Sequence, residues 1–305
     1  MRPTTALLLA LVLGLGTASS TNRARAYCRM TTSTTAPSLA QPCVTDGLPL
    51  EWRRRCFEYS VDVGGSPDMD RPTLEGIITA SFDAWLNVRC GGVAPGFEVR
   101  ETPDASVCRE AEYRGSGGNV NTIAFLDDWA AYDYDPAAFA VTTVWHVTAT
   151  GEILDVDMQL NQTLGPYGVC PAAGCPGADT GTAEMADLQN IVTHEIGHVF
   201  GIGHSEMPGA AMYAVSRRGE TDKRILRTDD TDAFCAIYPP GSLPSECAFP
   251  PIGGLRLDCP ASSGGGGRCA VSHAERSGSL PAWALLLGTS LLIGRRKRRR
   301  TRPSR

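Results

Sequence analysis

The stretch "HEIGHVFGIGH" (His194–His204) holds three of the five histidines of this 305-residue chain. Residues four apart on a helix lie on one face, so His194 and His198 can direct their imidazoles to the same ion. Gly201 can end the helix in a left-handed turn, after which the chain doubles back and brings in His204. The spacing therefore predicts a metal site with three nitrogen ligands.

Glu195 follows the first histidine and lies one position away from the ligand face. Three neutral imidazoles leave a tetrahedral position of a zinc ion open for water, which is typical of a catalytic rather than a structural site. Zinc lowers the pKa of that water to about 7, and a neighbouring carboxylate can accept its proton. We expect one catalytic Zn²⁺ held by His194, His198 and His204, with Glu195 as the general base of peptide hydrolysis. A helix with scattered surface histidines, or a structural zinc, is the alternative.

The charges and cysteines describe the setting of this stretch. The chain has 28 Lys and Arg against 33 Asp and Glu, but three of the cations precede residue 27 and eight lie in residues 295–305. The part between these ends therefore carries an excess of about 16 acidic residues, which argues against nucleic acid as a partner. Eleven cysteines spread along the chain indicate disulfides in an oxidising compartment.

Both ends of the chain resemble targeting segments. Residues 1–26 are predicted to be a signal peptide, because Arg2, an apolar run and the small-x-small sequence "ARA" follow in order. We expect export to the extracellular space or the outer cell surface. Residues 280–294 are apolar but shorter than the roughly 20 residues of a membrane span, and the basic residues 295–305 follow. We assign a sorting or membrane tail to residues 269–305, with transient or stable membrane association.

Between the ends we predict a lead-in segment at residues 27–48, one domain at residues 49–240 and a Pro/Gly/Ser-rich linker at residues 241–268. Alternation and β-branched residues predict strands, whereas apolar residues at helical spacing predict helices. The predicted strands are Cys56–Val63, Phe97–Glu101, Val120–Leu126 and a hairpin of Ala140–Val147 with Glu152–Asn161. The predicted helices are residues 71–88, a helix from Thr182 to about Phe200, and a last helix with Thr228 as its N-cap.

The acidic residues and the histidine of the predicted hairpin are interpreted as solvent-exposed. Asp155 and Asp157 share one face of their strand, and we interpret that face as solvated, with calcium binding as the alternative. His146 on the facing strand is interpreted as a surface residue. Among the ten cysteines before Cys269, we consider Cys90–Cys108 and Cys170–Cys175 plausible local disulfides, although the pairing cannot be derived from the sequence.

The histidine stretch matches the H-E-x-x-H-x-x-G-x-x-H signature of the metzincin metallopeptidases. Met212 and the Tyr213 that follows it resemble the methionine turn of the matrixins within that group, and "LRTDDTDAFCAIY" (226–238) resembles their closing helix. The resemblance covers residues 48–238, strongly from His194 onward and in outline before it.

The matrixin resemblance implies an α/β (α+β) fold. The expected domain has a twisted, mostly parallel five-stranded sheet with an antiparallel edge strand, two long helices and a small C-terminal subdomain after Gly201. It also implies a secreted or cell-surface zinc endopeptidase that acts on protein or peptide substrates, and we expect a monomer. The substrate would pair with the edge strand Ala140–Val147. Arg217 and Arg218, just past the methionine turn, would shape the pocket for the residue after the cut.

Several features depart from matrixins. Only His146 and His273 remain for a second, structural zinc, Ala214 stands where a proline is expected, and the P-R-C-G-x-P-D latency segment is missing. Cys269, the apolar run and the arginine cluster resemble the C-terminal sorting tails of myxobacterial surface proteins. Two other functions remain open: a non-catalytic surface binding module that retains a zinc site, and a hydrolase of peptidoglycan amides.

Overall fold

The computed structural model describes residues 27–258 and 270–277. The predicted signal peptide and the apolar and basic segments of the tail lie outside these residues. Within the described residues the α-helices are α1 (Arg71–Leu86), α2 (Leu188–Val199) and α3 (Thr228–Ile237). The strands in chain order are β1 (Cys28–Arg29), β2 (Cys56–Val61), β3 (Glu98–Glu101), β4 (Asn121–Leu126), β5 (Ala138–His146), β6 (Ile153–Asn161), β7 (Tyr167–Gly168), β8 (Ala186–Asp187), β9 (Ile202–Gly203), β10 (Val215–Ser216) and β11 (Ala270–Ser277).

The central sheet has the strand order β10-β11-β5-β6-β4-β2-β3. Strands β3, β2, β4 and β6 are mutually parallel, and β5 pairs antiparallel with β6. These five strands confirm the predicted sheet with its antiparallel edge strand. The hairpin turn lies at Thr150 and Gly151, as the sequence predicts, and Gly151 has a positive φ of 74°. Beyond β5 the sheet continues into β11, a strand that the sequence analysis did not predict.

Helix α1 packs its apolar face on the sheet and on α2. Asp70 caps its first turn by accepting the N–H of Thr73. Trp85 is fully buried, and its indole N–H donates to the carbonyl of Thr193 in α2 at 2.9 Å. Trp85 also packs near Phe200 and Phe234. This aromatic cluster therefore holds α1 and α3 against the end of α2, where the histidines lie.

Helix α2 begins at Leu188, six residues later than predicted. Asp187 is the cap, because its side chain accepts the N–H of Asn190 at 2.8 Å and also pairs with Arg224. The residues before it are not helical, since Ala186 and Asp187 pair with β7. The prediction of Thr228 as the cap of α3 is also wrong. Thr228 is the first helical residue, and the Asp230 carboxylate accepts the N–H of Arg227 at 2.7 Å.

The disulfides correct one predicted pairing and confirm another. Cys170–Cys175 is present, but Cys90 pairs with Cys235 rather than with Cys108. Cys90 follows α1 and Cys235 lies in α3, so this bond ties together elements that are 145 residues apart in sequence. Two further disulfides fasten the ends of the described body, Cys28–Cys43 and Cys56–Cys247.

The chain after residue 240, which we assign to the linker, contacts the domain over its first part. Besides the Cys56–Cys247 disulfide, Leu255 forms a parallel bridge with Asn119. The Arg54 guanidinium donates to the carbonyls of Ala248 and Pro250, each at 2.8 Å. Within residues 27–258 and 270–277, none of the helices is long and apolar enough to span a bilayer.

The interpretation of Asp155, Asp157 and His146 as solvated is wrong. Asp155 and Asp157 are 0% and 1% exposed, and His146 is 4% exposed. The reason is that β6 lies inside the sheet and the chain around Glu112 covers its second face. Asp157 accepts hydrogen bonds from the Glu112 N–H and the Trp145 indole, each at 3.0 Å. Neither carboxylate oxygen of Asp155 has a hydrogen-bond partner among the described residues.

Burial of this pair makes the stability of the protein depend on pH. Loss of hydration raises the pKa of Asp155 well above its ordinary range, and the charge of Asp157 raises it further. Burial likewise raises the pKa of Asp157, to about 8. A raised pKa in the folded state means that the unfolded chain releases the proton first, so the free energy of unfolding falls as pH rises above about 4.

Asp155→Asn is therefore expected to stabilise the protein at pH 7 and to have little effect at pH 4. Asparagine keeps the size and shape of the side chain but has no carboxyl group that ionises in the unfolded chain. Thermal unfolding at the two pH values measures this, with a Tm increase of roughly 2–4 °C for each 1 kcal/mol gained. Asp46→Asn, at an exposed position, is the matched control and should change Tm little at either pH. A lower Tm for Asp155→Asn at pH 7 would contradict the assignment of a destabilising buried carboxyl.

Candidate metal centre

The three histidines of the signature converge in the structure. His194 and His198 lie one turn apart on α2, and their ring centroids are 4.9 Å apart. His204 arrives from the chain after the helix, with its ring centroid 5.3 Å from His194 and 4.9 Å from His198. One ring nitrogen of each residue lies within 4.8 Å of those of the other two. The structure thus brings together the residues that the sequence predicts as metal ligands.

Gly201 makes the return of the chain sterically possible. Its φ is 76°, which is the left-handed region that favours glycine. A Cβ atom at this position would lie 2.7 Å from the carbonyl oxygen of Leu50. Both the turn and the close approach therefore require glycine. The turn leads directly into β9, after which His204 reaches the site.

Backbone carbonyls orient two of the imidazole rings. His194 Nδ1 lies 2.6 Å from the carbonyl oxygen of Ala211, and His198 Nδ1 lies 2.7 Å from that of Ile202. A carbonyl oxygen only accepts, so in each ring Nδ1 carries the hydrogen and Nε2 presents a lone pair. Nε2 of His194 is buried and has no hydrogen-bond partner among the described residues. Neutral imidazoles oriented in this way are the donor set that zinc prefers.

The surroundings keep His194 neutral. Burial lowers its pKa well below the ordinary range, and the positive charge of Lys223 lowers it further. Lys223 is itself 1% exposed, and its Nζ donates to the carbonyl of Tyr213 at 2.5 Å and lies 3.5 Å from His194 Nδ1. Lys223 was not among the predicted site residues, because nothing near it in sequence marks it as a buried residue.

Glu195 follows His194 on α2, and its side chain is held by strand β5. Its Oε2 accepts a hydrogen bond of 2.5 Å from the Thr142 hydroxyl, and both residues are 0% exposed. Thr142 belongs to β5, the predicted substrate strand. This contact fixes the direction of the Glu195 carboxylate. Thr142 was not among the predicted site residues, since its contact with Glu195 depends on how β5 packs against α2.

Met212 lies directly against α2. An ideal Cβ built on Gly197, between Glu195 and His198 in the helix, would be 2.1 Å from Met212 Sδ. The Asp230 carboxylate accepts the N–H groups of Ala211 and Met212 at 2.8 and 3.0 Å. Through Ala211, whose carbonyl orients His194, the methionine turn is thus connected to the histidine cluster. Asp230 itself is buried, which raises its pKa.

The two arginines after the methionine turn behave differently from each other. The Arg218 guanidinium donates to four backbone carbonyls, which belong to Leu164, Gly165, Ala183 and Glu184. It therefore joins the loops around β7 and β8 and has its donors engaged within the domain. Arg217 is half exposed and donates to the carbonyl of Asp179. Of the two, Arg217 is therefore the more exposed.

Helix α2 bears two histidines and a glutamate, a third histidine follows a glycine turn, and the antiparallel strand β5 lies beside them. This arrangement resembles the metal site of the metzincin class. Comparison with known proteins agrees with this class. Residues 120–239 match the family model described as matrixin. Over these residues the chain is similar to the matrixins.

Three curated proteins show local similarity to the chain. It is 44% identical over 61 residues to metalloendoproteinase 1-MMP of Arabidopsis thaliana, which covers 20% of this chain and 16% of that protein. Identity to neutrophil collagenase of Homo sapiens is 38% over 71 residues, covering 23% of this chain and 15% of the relative. Identity to metalloendoproteinase 4-MMP of Arabidopsis thaliana is 40% over 52 residues, covering 17% of this chain and 15% of the relative. The matches thus span about a sixth of the length of each relative.

Proposed function

We propose that this chain is an exported zinc endopeptidase with His194, His198 and His204 as metal ligands and Glu195 as general base. The observation that carries the proposal is the convergence of the three histidines, with Glu195 adjacent to His194 on α2 and its carboxylate held by Thr142. A bound zinc ion would supply a water molecule of lowered pKa and would polarise the scissile carbonyl. Glu195 would accept a proton from the attacking water and deliver it to the leaving amine.

The substrate is proposed to be an extended polypeptide. Strand β5 is antiparallel to its neighbour β6 and runs past α2 at Thr142, so a peptide paired with its other edge would pass the glutamate. Main-chain pairing of this kind gives affinity without demanding one sequence, while side-chain pockets give preference. The similarity to two metalloendoproteinases and a collagenase by name favours peptide bonds over other amides.

Location outside the cytosol is part of the proposal. Four described disulfides join cysteines across the domain, and Cys108 is disulfide-bonded as well. Such bonds persist in oxidising compartments and are rare in the cytosol. They support export, which the predicted signal peptide at residues 1–26 would direct. Attachment through the tail at residues 269–305 stays a prediction.

The test compares substrates from two classes. The zinc-loaded chain, before and after removal of residues 269–305, is incubated with an unfolded protein and, separately, with purified cell-wall fragments, and the products are analysed by mass spectrometry. We expect cleavage of the protein after that removal, loss of this activity on chelation and recovery on addition of zinc. Cleavage confined to cell-wall amides would replace the proposal with the peptidoglycan hydrolase. Binding of one zinc per chain with no hydrolysis of either substrate, before or after removal of residues 269–305, would favour a non-catalytic surface binding module.

A further inference from the structure

The edge of β5 that would receive a substrate is occupied by the chain itself. Strand β11 pairs antiparallel with β5, from Ala270 opposite Trp145 to Arg276 opposite Ala138. Its last two residues, Arg276 and Ser277, pair in parallel with β10, which follows the methionine turn. The segment 270–277 thus runs in extended form between the edge strand and the chain after the methionine turn.

The register places this segment beside the proposed general base. His273 is the register partner of Thr142. Thr142 is the residue whose hydroxyl binds the Glu195 carboxylate. The main chain around residue 273 therefore passes the position where a substrate peptide bond would have to lie.

Burial of the site agrees with this arrangement. His194, Glu195 and His198 are 0% exposed, and His204 is 6% exposed. An enzyme that cuts external polypeptides has to admit an extended chain to these residues. Since β11 contacts α2 as well as β5, it is part of what covers the site. In this conformation the site is closed to external substrate.

We propose that residues 270–277 are an intramolecular occupant of the substrate cleft and hold the peptidase inactive until they leave it. This inference rests on the proposed peptidase function. A segment tethered within the same chain acts at an effective concentration of about 1 mM, so it would outcompete external substrates present at micromolar concentration. Release of the segment, for example by a cut between the domain and β11, would then open the site.

The experiment uses the full zinc-loaded chain with a controllable cut. Residues 262–267 ("SSGGGG") are replaced by the recognition sequence of a site-specific protease, and the folded protein is cut and diluted. We expect kcat/KM for a peptide substrate to rise by about tenfold or more, because the segment loses its tether. Adding a synthetic peptide of residues 270–277 should reverse the rise in a competitive manner.

A second cleavage site provides the matched control. Placed between Gly278 and Ser279, it removes the rest of the tail but leaves the segment attached to the domain. This cut should leave kcat/KM unchanged. An equal rise from both cuts, or no rise from the first although the fragment has separated by gel filtration, would overturn the proposal.

A measurement without catalysis separates this proposal from the peptidase function. Hydrogen exchange of the β5 amides, Val141–Val144, is followed in the Glu195→Gln chain before and after the first cut. We expect faster exchange after the cut and renewed protection on addition of the peptide. If exchange responds in this way but wild-type protein hydrolyses no substrate, the proposed peptidase function is wrong, and the proposal that residues 270–277 occupy the cleft is supported. If exchange of these amides does not change after the cut, the proposal that residues 270–277 occupy the cleft is wrong, whether or not the protein is an active peptidase.

Discussion

Replacing Glu195 by glutamine is expected to lower kcat/KM for a peptide substrate by about 10²–10⁴-fold, which is the usual contribution of a general acid–base group. Glutamine keeps the size of the side chain and can still accept the Thr142 hydrogen bond, but it cannot take up a proton. Zinc content and Tm should therefore stay close to wild type. Initial rates on the chain with its C-terminal segment released, together with metal analysis, measure the effect.

The control for this variant is Glu246→Gln, which makes the same chemical change at an exposed position. It should keep full activity. Wild-type activity in Glu195→Gln would show that another group moves the proton, and the proposed mechanism would be wrong. Loss of zinc together with loss of activity would instead mean that Glu195 supports the metal centre, which would also contradict its role as a base.

Gly197→Ala is expected to be strongly destabilising although alanine is the better helix former. The added Cβ would lie 2.1 Å from Met212 Sδ and 2.8 Å from the Trp85 ring. Neither neighbour can move freely, because Trp85 is fully buried and Asp230 holds the backbone of Met212. Overpacking of this kind costs about 1–3 kcal/mol, or a Tm decrease of roughly 2–4 °C for each 1 kcal/mol. Zinc affinity should fall too, since the methionine turn orients His194 through Ala211.

Gly76→Ala makes the same change in α1 with the opposite expected sign. Gly76 is exposed and a Cβ there would meet nothing within 4 Å, so alanine should raise the stability by up to about 1 kcal/mol. Thermal unfolding and zinc titration of the two variants side by side separate helix propensity from packing. Equal stabilisation by both substitutions would show that Met212 does not pack against α2 as described.

The metal centre could be predicted from the sequence because it is mostly local. His194 and His198 lie on one helical turn, and the turn at Gly201, with its positive φ, brings back His204, which is six residues after His198. Their spacing therefore encodes their geometry. The five strands β2 to β6 were also predictable, since alternation and length distinguish them from α1 and α2, whereas their arrangement in one sheet followed from the matrixin resemblance.

Features that depend on tertiary packing were missed. Strand alternation places Asp155 and Asp157 on one face but does not tell whether that face is covered, so both were wrongly interpreted as solvated. Thr142 and Lys223 reach the site only through the packing of β5 and of the chain after Met212 on α2. The partner of Cys90 lies 145 residues away, and no spacing rule connects the two.

Strand β11 was missed for a different reason. "AVSHAERS" (270–277) has a weak strand pattern and adjoins a glycine run and an apolar segment, so it was assigned to the tail. Its pairing partner β5 is more than 120 residues earlier in the chain. An exposed strand edge accepts many sequences through main-chain hydrogen bonds alone. The amino-acid composition of the added strand therefore does not predict this type of pairing.

X-ray absorption at the zinc edge of the metal-loaded chain tests the central claim most directly. We expect one zinc per chain with three imidazole nitrogens at about 2.0–2.1 Å, and loss of one imidazole in His204→Ala. Sulfur at about 2.3 Å, or an unchanged zinc spectrum after replacement of His204, would show that these three histidines do not hold the metal.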